Sequence, residues 1–512
     1  MEFSHRGKSI LVDCGMFQGS RSLENLNMED FAFAPGKLDA VILSHAHIDH
    51  SGLLPKLVAE GYKGPIWCTG PTRDLLEFML ADAGRIQESE TERRNRRRDR
   101  AGEDPFEPIY TEQDALAAWE QCKPVPLEEW FEPAPGVRAR LWNAGHILGS
   151  ASVELECEGT RVMCSGDLGP ENKAFQPDPE GPSGFDHVIC ETTYGDRERE
   201  RISLEQRRKL LEVEVNAAIA RGGNLVIPAF ALERAQELLL DLAFLLQEGA
   251  IPKVRIFLDS PLANRVTGVF GRYAHELEDT GGRNIFEHPS FHFTTDVSES
   301  IKLNSVSGAV IIAASGMCEA GRIRHHLKHN LHRRESTVLF VGYQAEGTLG
   351  RVILEGAQTV RISGADVRVR AQIRRIDSYS AHADKGELLT WMEERQPVSG
   401  SLFLCHGEPG ALEGMRRELQ KRHREQSVRV PQIGEVYSLP AGEPAKRLAT
   451  GRSDIQDVVG RDWQNAYAEF ATSLKTRLSE IRDEERRMAA LKQMRGVLDS
   501  YAEHRARKGK QD

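Results

Sequence analysis

Closely paired cysteines, long apolar runs and an excess of basic charge are all missing from this 512-residue chain. The eight cysteines, at Cys14, Cys68, Cys122, Cys157, Cys164, Cys190, Cys318 and Cys405, stand far apart. They read as reduced thiols, which disfavours a disulfide framework and a cysteine-held zinc. No apolar segment is long enough to span a bilayer and no charged-then-apolar leader starts at Met1, so a cytoplasmic protein without a membrane role is expected. A formal net charge of -10 speaks against indiscriminate binding to nucleic acid, while leaving room for a local basic groove. Zinc-finger spacing and RRM or KH signatures are missing too, so a grip on nucleic acid would follow the backbone and depend on salt.

The length exceeds one ordinary core, and two or three domains are expected. Between Ser9 and about Cys190, short apolar runs (Ile10 to Val12, Val41 to Leu43, Val153 to Leu155, Val162 to Cys164, Val188 to Cys190) alternate with turns and helical stretches. Sheet layers covered by helices follow from that texture. From Leu204 the pattern becomes repeated helix and strand, with helices over Leu204 to Ala220 and Arg234 to Leu246 and strands at Leu225 to Ile227, Val254 to Leu258, Val310 to Ile312 and Val338 to Phe340. A parallel α/β unit is expected there. Beyond Leu448, Trp463, Tyr467, Phe470, Leu474 and Leu478 fall at helical spacing, which predicts a long C-terminal helix for packing or oligomer formation. Arg93 to Arg100 is rich in arginine and could touch phosphates. Glu88, Glu90 and Glu92 precede it, so a solvated, salt-bridged helix end is the blander reading.

His45-Ala46-His47-Ile48-Asp49-His50 packs three imidazoles and a carboxylate directly behind the apolar run Ala40 to Leu43. Imidazole nitrogen and carboxylate oxygen without cysteine is the donor set of a catalytic zinc site. Further apolar runs end in ligand-capable residues beside glycine: Asp13 before Gly15, His146 after Gly145, Asp167 after Gly166 and His406 before Gly407. Singly, each is more often a hydrogen-bonded structural residue. Together with the dense motif they point to one metal centre at a sheet edge.

The His-x-His-x-Asp-His motif with later His, Asp and His resembles the metallo-β-lactamase superfamily. Glu191-Thr192-Thr193-Tyr194-Gly195, a long insertion, Ser380-Ala381-His382-Ala383-Asp384 and Cys405-His406-Gly407-Glu408 resemble its β-CASP branch, which processes nucleic acids. Pro228 to Arg234, Ser315-Gly316-Met317 and Val341-Gly342-Tyr343-Gln344 are similar to that branch's bacterial and archaeal ribonucleases and to pre-mRNA 3′-end cleavage endonucleases. The resemblance implies an αββα sandwich in two parts (1–198 and 379–448) with an inserted parallel α/β β-CASP domain (199–378), to which the chain adds a helical extension (449–512). It also implies two zinc ions, with His45, His47 and His146 on one, Asp49, His50 and His406 on the other, and Asp167 bridging. Asp13 would orient a ligand imidazole, and Glu191 would hold His382.

Two metals with a shared hydroxide suit an in-line attack on a phosphodiester, and the departing oxygen then needs a proton. His382, charged and oriented by Glu191, fits the acid. Backbone amides of Ser315, Gly316 and Met317, with Arg322 and Arg324 beyond, could receive substrate phosphates, although a plain strand-to-helix turn reads similarly. His325, His326 and His329 share a helix face but are read as surface or interface residues. The expected substrate is RNA, single-stranded, with a homodimer as an open option. A DNA-directed nuclease, an inactive RNA-processing scaffold and a small-ester or thioester hydrolase are the alternatives. One departure stands out: relatives carry another strand pair before Lys8 to Asp13, where only about seven residues stand here. A misassigned or truncated start, or an exposed sheet edge, is the expectation.

Overall fold

The computed structural model describes residues 1–452 apart from 19, 20, 101, 201, 346 and 425, and beyond them residues 474, 477, 478, 481 and 483–508. Two compact units result, Met1–Gln456 and Asp457–Asp512.

Strand alternation sets the layers of the first unit. In Lys8–Val12 and Ala40–Ile42, residues Ile10, Val12, Ala40 and Ile42 point into one core, while Leu11 and Val41 point into another. A five-stranded sheet runs Glu2–His5, Lys8–Val12, Ala40–Ile42, Ile66–Cys68, Cys122–Pro124, antiparallel in its first pair and parallel thereafter. Facing it, a seven-stranded sheet runs Ser427–Arg429, Val398–Cys405, Phe185–Glu191, Thr160–Cys164, Ala151–Cys157, Val137–Asn143, Phe131–Ala134. The inner core joins Val12 and Ile42 to Leu141, Val153, Cys164 and Phe403 across the two sheets. Outside, helices Gly70–Asp99 and Glu112–Glu120 cover the first sheet through Leu75, Leu76, Leu80 and Ala115. Helices Lys385–Glu394 and Pro409–Arg422 cover the second through Leu388, Met392, Met415 and Leu419. This is the αββα sandwich that the sequence implied.

The segment at the chain's start forms an exposed edge of the five-stranded sheet. Glu2–His5 is itself a strand, paired antiparallel with Lys8–Val12 through a two-residue turn at Arg6 and Gly7. Both turn residues have positive φ (45° and 81°), the geometry that matches the twist of a tight hairpin. The edge of the sheet is therefore built by these few residues.

The insertion forms a six-stranded parallel sheet in the order Phe291–Phe293, Ile256–Leu258, Val310–Ala313, Leu225–Pro228, Thr337–Val341, Gln372–Ile376. Its faces separate by parity. Leu225 and Ile227 pack under helices Arg234–Gln247 and Pro261–Arg272, and Val226 packs with Ile323, Leu327 and Ile353 on the other side. Helix Leu204–Ala220 leads in, capped by Ser203 and Gln206 in a reciprocal capping box. In the second unit, helix Glu484–Lys508 is present; Trp463, Tyr467 and Phe470 lie outside the described residues.

A buried ion pair ties the insertion to the sandwich. Lys173 meets Glu233, both almost fully buried, and the other Glu233 oxygen accepts from the Leu148 amide at 3.1 Å, two residues past His146. Burial pushes the Glu233 carboxyl up, against the pull of Lys173. Lys173→Met strands that carboxylate and should cost about 3–5 kcal/mol of stability. The cost should shrink as pH falls and Glu233 takes up a proton, and Lys173→Met/Glu233→Gln should recover part of it. Urea unfolding at two pH values checks both.

Candidate metal centre

The six residues of the dense motif divide between two backbone conformations. His45 and His47 end the extended segment, and Ile48–Ser51 is a helical turn that carries Asp49 and His50 away from them. Asp13 to Met16 clamps the turn: the Cys14 amide donates to the His50 carbonyl at 2.7 Å and the Met16 amide to the Ile48 carbonyl at 2.9 Å. Only glycine fits between them, because a Cβ on Gly15 would lie 1.5 Å from the Asp49 carbonyl oxygen.

Three imidazole nitrogens converge from this arrangement. His47 Nδ1 lies 3.2 Å from His45 Nε2 and 3.1 Å from His146 Nε2, and Asp167 Oδ2 stands 3.6 and 3.7 Å from the latter two. Ligands at zinc's tetrahedral bond lengths lie about 3.4 Å apart, so this group has the right span. A second group gathers on the other side of Asp167. His50 Nε2 lies 3.1 Å from Asp167 Oδ1, and Asp49 Oδ2 lies 3.4 Å from His406 Nε2. Both His50 Nε2 and Asp167 Oδ1 are buried without a hydrogen-bond partner, a costly state unless a cation sits between such atoms. The all-nitrogen-and-oxygen donor set fits zinc in a catalytic setting.

The far side of most of these rings is engaged. His50 Nδ1 contacts Asp13 Oδ2 at 2.8 Å, and Ser44 fixes that carboxylate through its amide (2.7 Å) and hydroxyl (2.8 Å). The Ala381 carbonyl takes His146 Nδ1 at 2.7 Å, and Thr193 Oγ1 meets His406 Nδ1 at 3.0 Å. Such partners set tautomer and ring orientation, leaving the opposite nitrogen for a metal.

Charge divides the histidines. Burial and the neighbouring His50 hold His45 well below the ordinary imidazole value, burial and His382 do the same to His146, and burial brings His47 down to about 4. These three offer neutral lone pairs. At His50 burial is outweighed by Asp167 and Asp13, which lift it well above the ordinary range, and Asp167 with Asp49 lifts His406 to about 9. A field that holds protons on buried imidazoles also attracts a dication.

His382 stands beside the cluster, its ring centroid 4.5 Å from that of His146. Its Nδ1 lies 3.2 Å from Glu191 Oε1 and 3.9 Å from Asp167 Oδ2. Glu191 is fixed in turn, accepting from the Leu168 and Thr193 amides at 2.9 Å each. Burial opposes the charge on His382, but Glu191 prevails and raises its pKa.

Comparison with known proteins agrees with this geometry. Residues 2–204 match the metallo-β-lactamase superfamily, 235–353 the β-CASP domain, and 366–431 the Zn-dependent metallo-hydrolase RNA specificity domain. Ribonuclease TTHA0252 of Thermus thermophilus is 37% identical over 433 residues, covering 82% of this chain and 93% of its own. The chain belongs to the β-CASP branch of the metallo-β-lactamase superfamily. Transcription termination factors FttA of Methanosarcina mazei and Methanothermobacter thermautotrophicus are 30% and 31% identical; they match 81% and 78% of this chain, which spans 65% and 63% of theirs. The β-CASP protein is thus a metallo-hydrolase by family, and among its described residues no helix is long and apolar enough to cross a membrane.

The loop after strand Val310–Ala313 sits differently from a simple phosphate cradle. Among the described residues nothing accepts from the Gly316 and Met317 amides, whereas the Ser315 amide is used by the Ala320 carbonyl at 3.3 Å. Arg322 is committed internally, donating to Asp259 at 2.7 Å, to the Thr294 carbonyl at 3.3 Å and to the Thr295 carbonyl at 2.6 Å. His326 joins it, 2.6 Å from the same Asp259. The arginine-rich stretch ends helix Gly70–Asp99, with Arg96 paired to Glu92 at 2.9 Å and Arg98 to Glu103 at 2.8 Å.

Sequence reasoning missed Ser44 and Thr193, the hydroxyls behind the β-CASP protein's histidines. Ser44 directly precedes His45 and Thr193 lies two residues past Glu191, which was a signal, since strand ends that carry ligands need local donors. Asp13→Ala should weaken the hold on zinc about 10- to 100-fold, read by competition with a chromogenic chelator.

Proposed function

We propose that this protein is a zinc-dependent ribonuclease that hydrolyses phosphodiester bonds in single-stranded RNA. Two zinc ions belong to the reading: His45, His47 and His146 would hold one, Asp49, His50 and His406 the other, and Asp167 would serve both. The match to an RNA specificity domain at 366–431 and the relative named a ribonuclease support RNA as the substrate class. Bound at these sites, zinc polarises phosphoryl oxygens and lowers the pKa of water.

The observation that carries the chemistry is the seat of His382. Glu191 engages Nδ1, which leaves Nε2 as the position from which a proton can be delivered to the departing ribose oxygen. Arg199 secures the loop by donating to the His382 carbonyl at 2.5 Å and pairing with Glu387 at 3.2 Å. Asp13 and Glu191 act through other residues, as positioning groups for His50 and His382. The exposed Asp49 and His406 form the side from which substrate approaches. The free amides of Gly316 and Met317 are the better candidates for phosphate contact in the insertion. Arg322 would act by shaping that loop.

Digestion of end-labelled single-stranded RNA beside a DNA strand of the same sequence tests the function; cleavage of DNA alone refutes it. His382→Ala should keep its zinc and lose about two to four orders of magnitude in cleavage. His382 donates only when protonated, and its pKa is raised, so kcat/KM should decline as pH climbs through that raised value. Glu191→Gln removes the negative charge that stabilises the imidazolium. The declining limb should then move to lower pH, measured from pH-rate profiles against the wild type.

A further inference from the structure

Two tyrosines on separate domains share one arginine beside His382. Tyr194 belongs to the segment after strand Phe185–Glu191, and Tyr343 to the loop after Thr337–Val341 in the insertion. The Arg197 guanidinium carbon lies 5.5 Å from each ring centroid, and the Tyr194 ring meets the His382 ring edge-on at 5.9 Å. All three side chains are partly open to solvent. Among the described residues neither phenol hydroxyl hydrogen-bonds to the protein.

Arg197 is poorly explained as a structural bridge. Its ion pair is with the adjacent Asp196 at 3.4 Å, both side chains more than 40% exposed (46% and 42%), a kind of contact that adds little. Arg199, two residues on, also lies 5.5 Å from the Tyr194 ring centroid but is tied down by the His382 carbonyl and Glu387. The Arg197 backbone is nevertheless fixed: its amide donates to the Tyr194 carbonyl at 3.1 Å, and its carbonyl accepts from Lys385 at 2.8 Å, three residues past His382. A pinned backbone thus presents a loosely held guanidinium between two rings. Next along the chain, Gln344 donates to the Gly316 carbonyl at 3.0 Å, which places Tyr343 beside the loop with the free amides.

Planar aromatic and guanidinium faces next to a phosphate-cleaving centre fit a nucleobase. Single-stranded RNA is recognised by stacking its splayed bases on such faces, without demanding a particular base. We propose that Tyr194, Arg197 and Tyr343 form a stacking subsite for the base of a nucleotide flanking the scissile phosphate. The proposal rests on the ribonuclease reading above and extends it: the enzyme would grip unpaired RNA by one base as well as by phosphate, and a duplex, whose bases are already stacked, would not fit.

The test compares a uridine oligoribonucleotide with the same ribose-phosphate chain lacking bases, using holoenzyme. Tyr343→Ala should raise KM for the uridine oligomer roughly tenfold with kcat nearly unchanged, and should leave cleavage of the abasic chain as it was. Tyr343→Phe, which keeps the ring, should restore the wild-type KM. Arg197→Ala should reproduce the substrate-selective loss more weakly. Equal losses on both chains, or an unchanged KM for the uridine oligomer, overturn the subsite while leaving the nuclease reading intact. Failure of the wild type to cut either chain overturns that reading, and the subsite with it.

Discussion

One buried carboxylate organises the centre. Asp167 has oxygens within 3.1 to 3.9 Å of nitrogens from five histidines: His45, His50, His146, His382 and His406. An isolated carboxylate at that depth would be expelled or protonated, because burial raises its pKa. Here His406 and His50 overcome burial and hold Asp167 well below the usual carboxylate range. The five imidazoles come from chain segments more than three hundred residues apart. Their gathering therefore requires both sheets of the sandwich, since Asp167 follows strand Thr160–Cys164 and His406 follows Val398–Cys405 in one sheet while His45 follows Ala40–Ile42 in the other.

Much of this was legible because ligand chemistry leaves dense marks. A short run with three histidines and an aspartate behind a buried strand has few other uses, and lone ligands at later strand ends gained meaning from it. The layers were legible too, since Leu225 to Ile227 and Val310 to Ile312 lack the polar alternation of a half-exposed strand and sit in the insertion's interior. What stayed hidden depends on pairings between distant residues. Glu2–His5 is too short and polar to announce a strand, and becomes one only by pairing with Lys8–Val12. Arg322 looked available for phosphate because it follows a glycine at the start of a helix. Its partners, Asp259, Thr294 and Thr295, lie tens of residues upstream.

The insertion is coupled to the chemistry through His382. Three residues before it, the fully buried Tyr379 donates its hydroxyl to Asp241 at 2.8 Å, and Asp241 also holds Arg207 at 2.8 Å and Arg208 at 3.0 Å. Glu237 completes the cluster, 3.2 Å from Arg207. Buried ions tolerate few geometries, because a displaced partner leaves a charge without compensation. His382 is thus carried by a segment anchored in the insertion, while its partner Glu191 belongs to the sandwich. Its alignment depends on the two domains being in register.

Two residues of the site, and Glu233 of the buried pair beside it, carry a backbone conformation that side chains ordinarily avoid. Asp13, Glu233 and His406 have φ of 59°, 69° and 50°. Each such residue costs on the order of 1–3 kcal/mol unless its surroundings enforce it. The enforcement is visible in every case: the Asp13 amide donates to the Ile42 carbonyl at 3.0 Å and its carboxylate is fixed by Ser44, Glu233 is held by Lys173 and Leu148, and the His406 carbonyl accepts from Thr192 at 3.1 Å. Glycine would relieve the strain at all three positions and would remove the carboxylates and the imidazole. The backbone strain thus accompanies side chains turned back from chain segments that have already left their strands: His406 toward Asp167, Asp13 toward His50 and Glu233 toward Lys173.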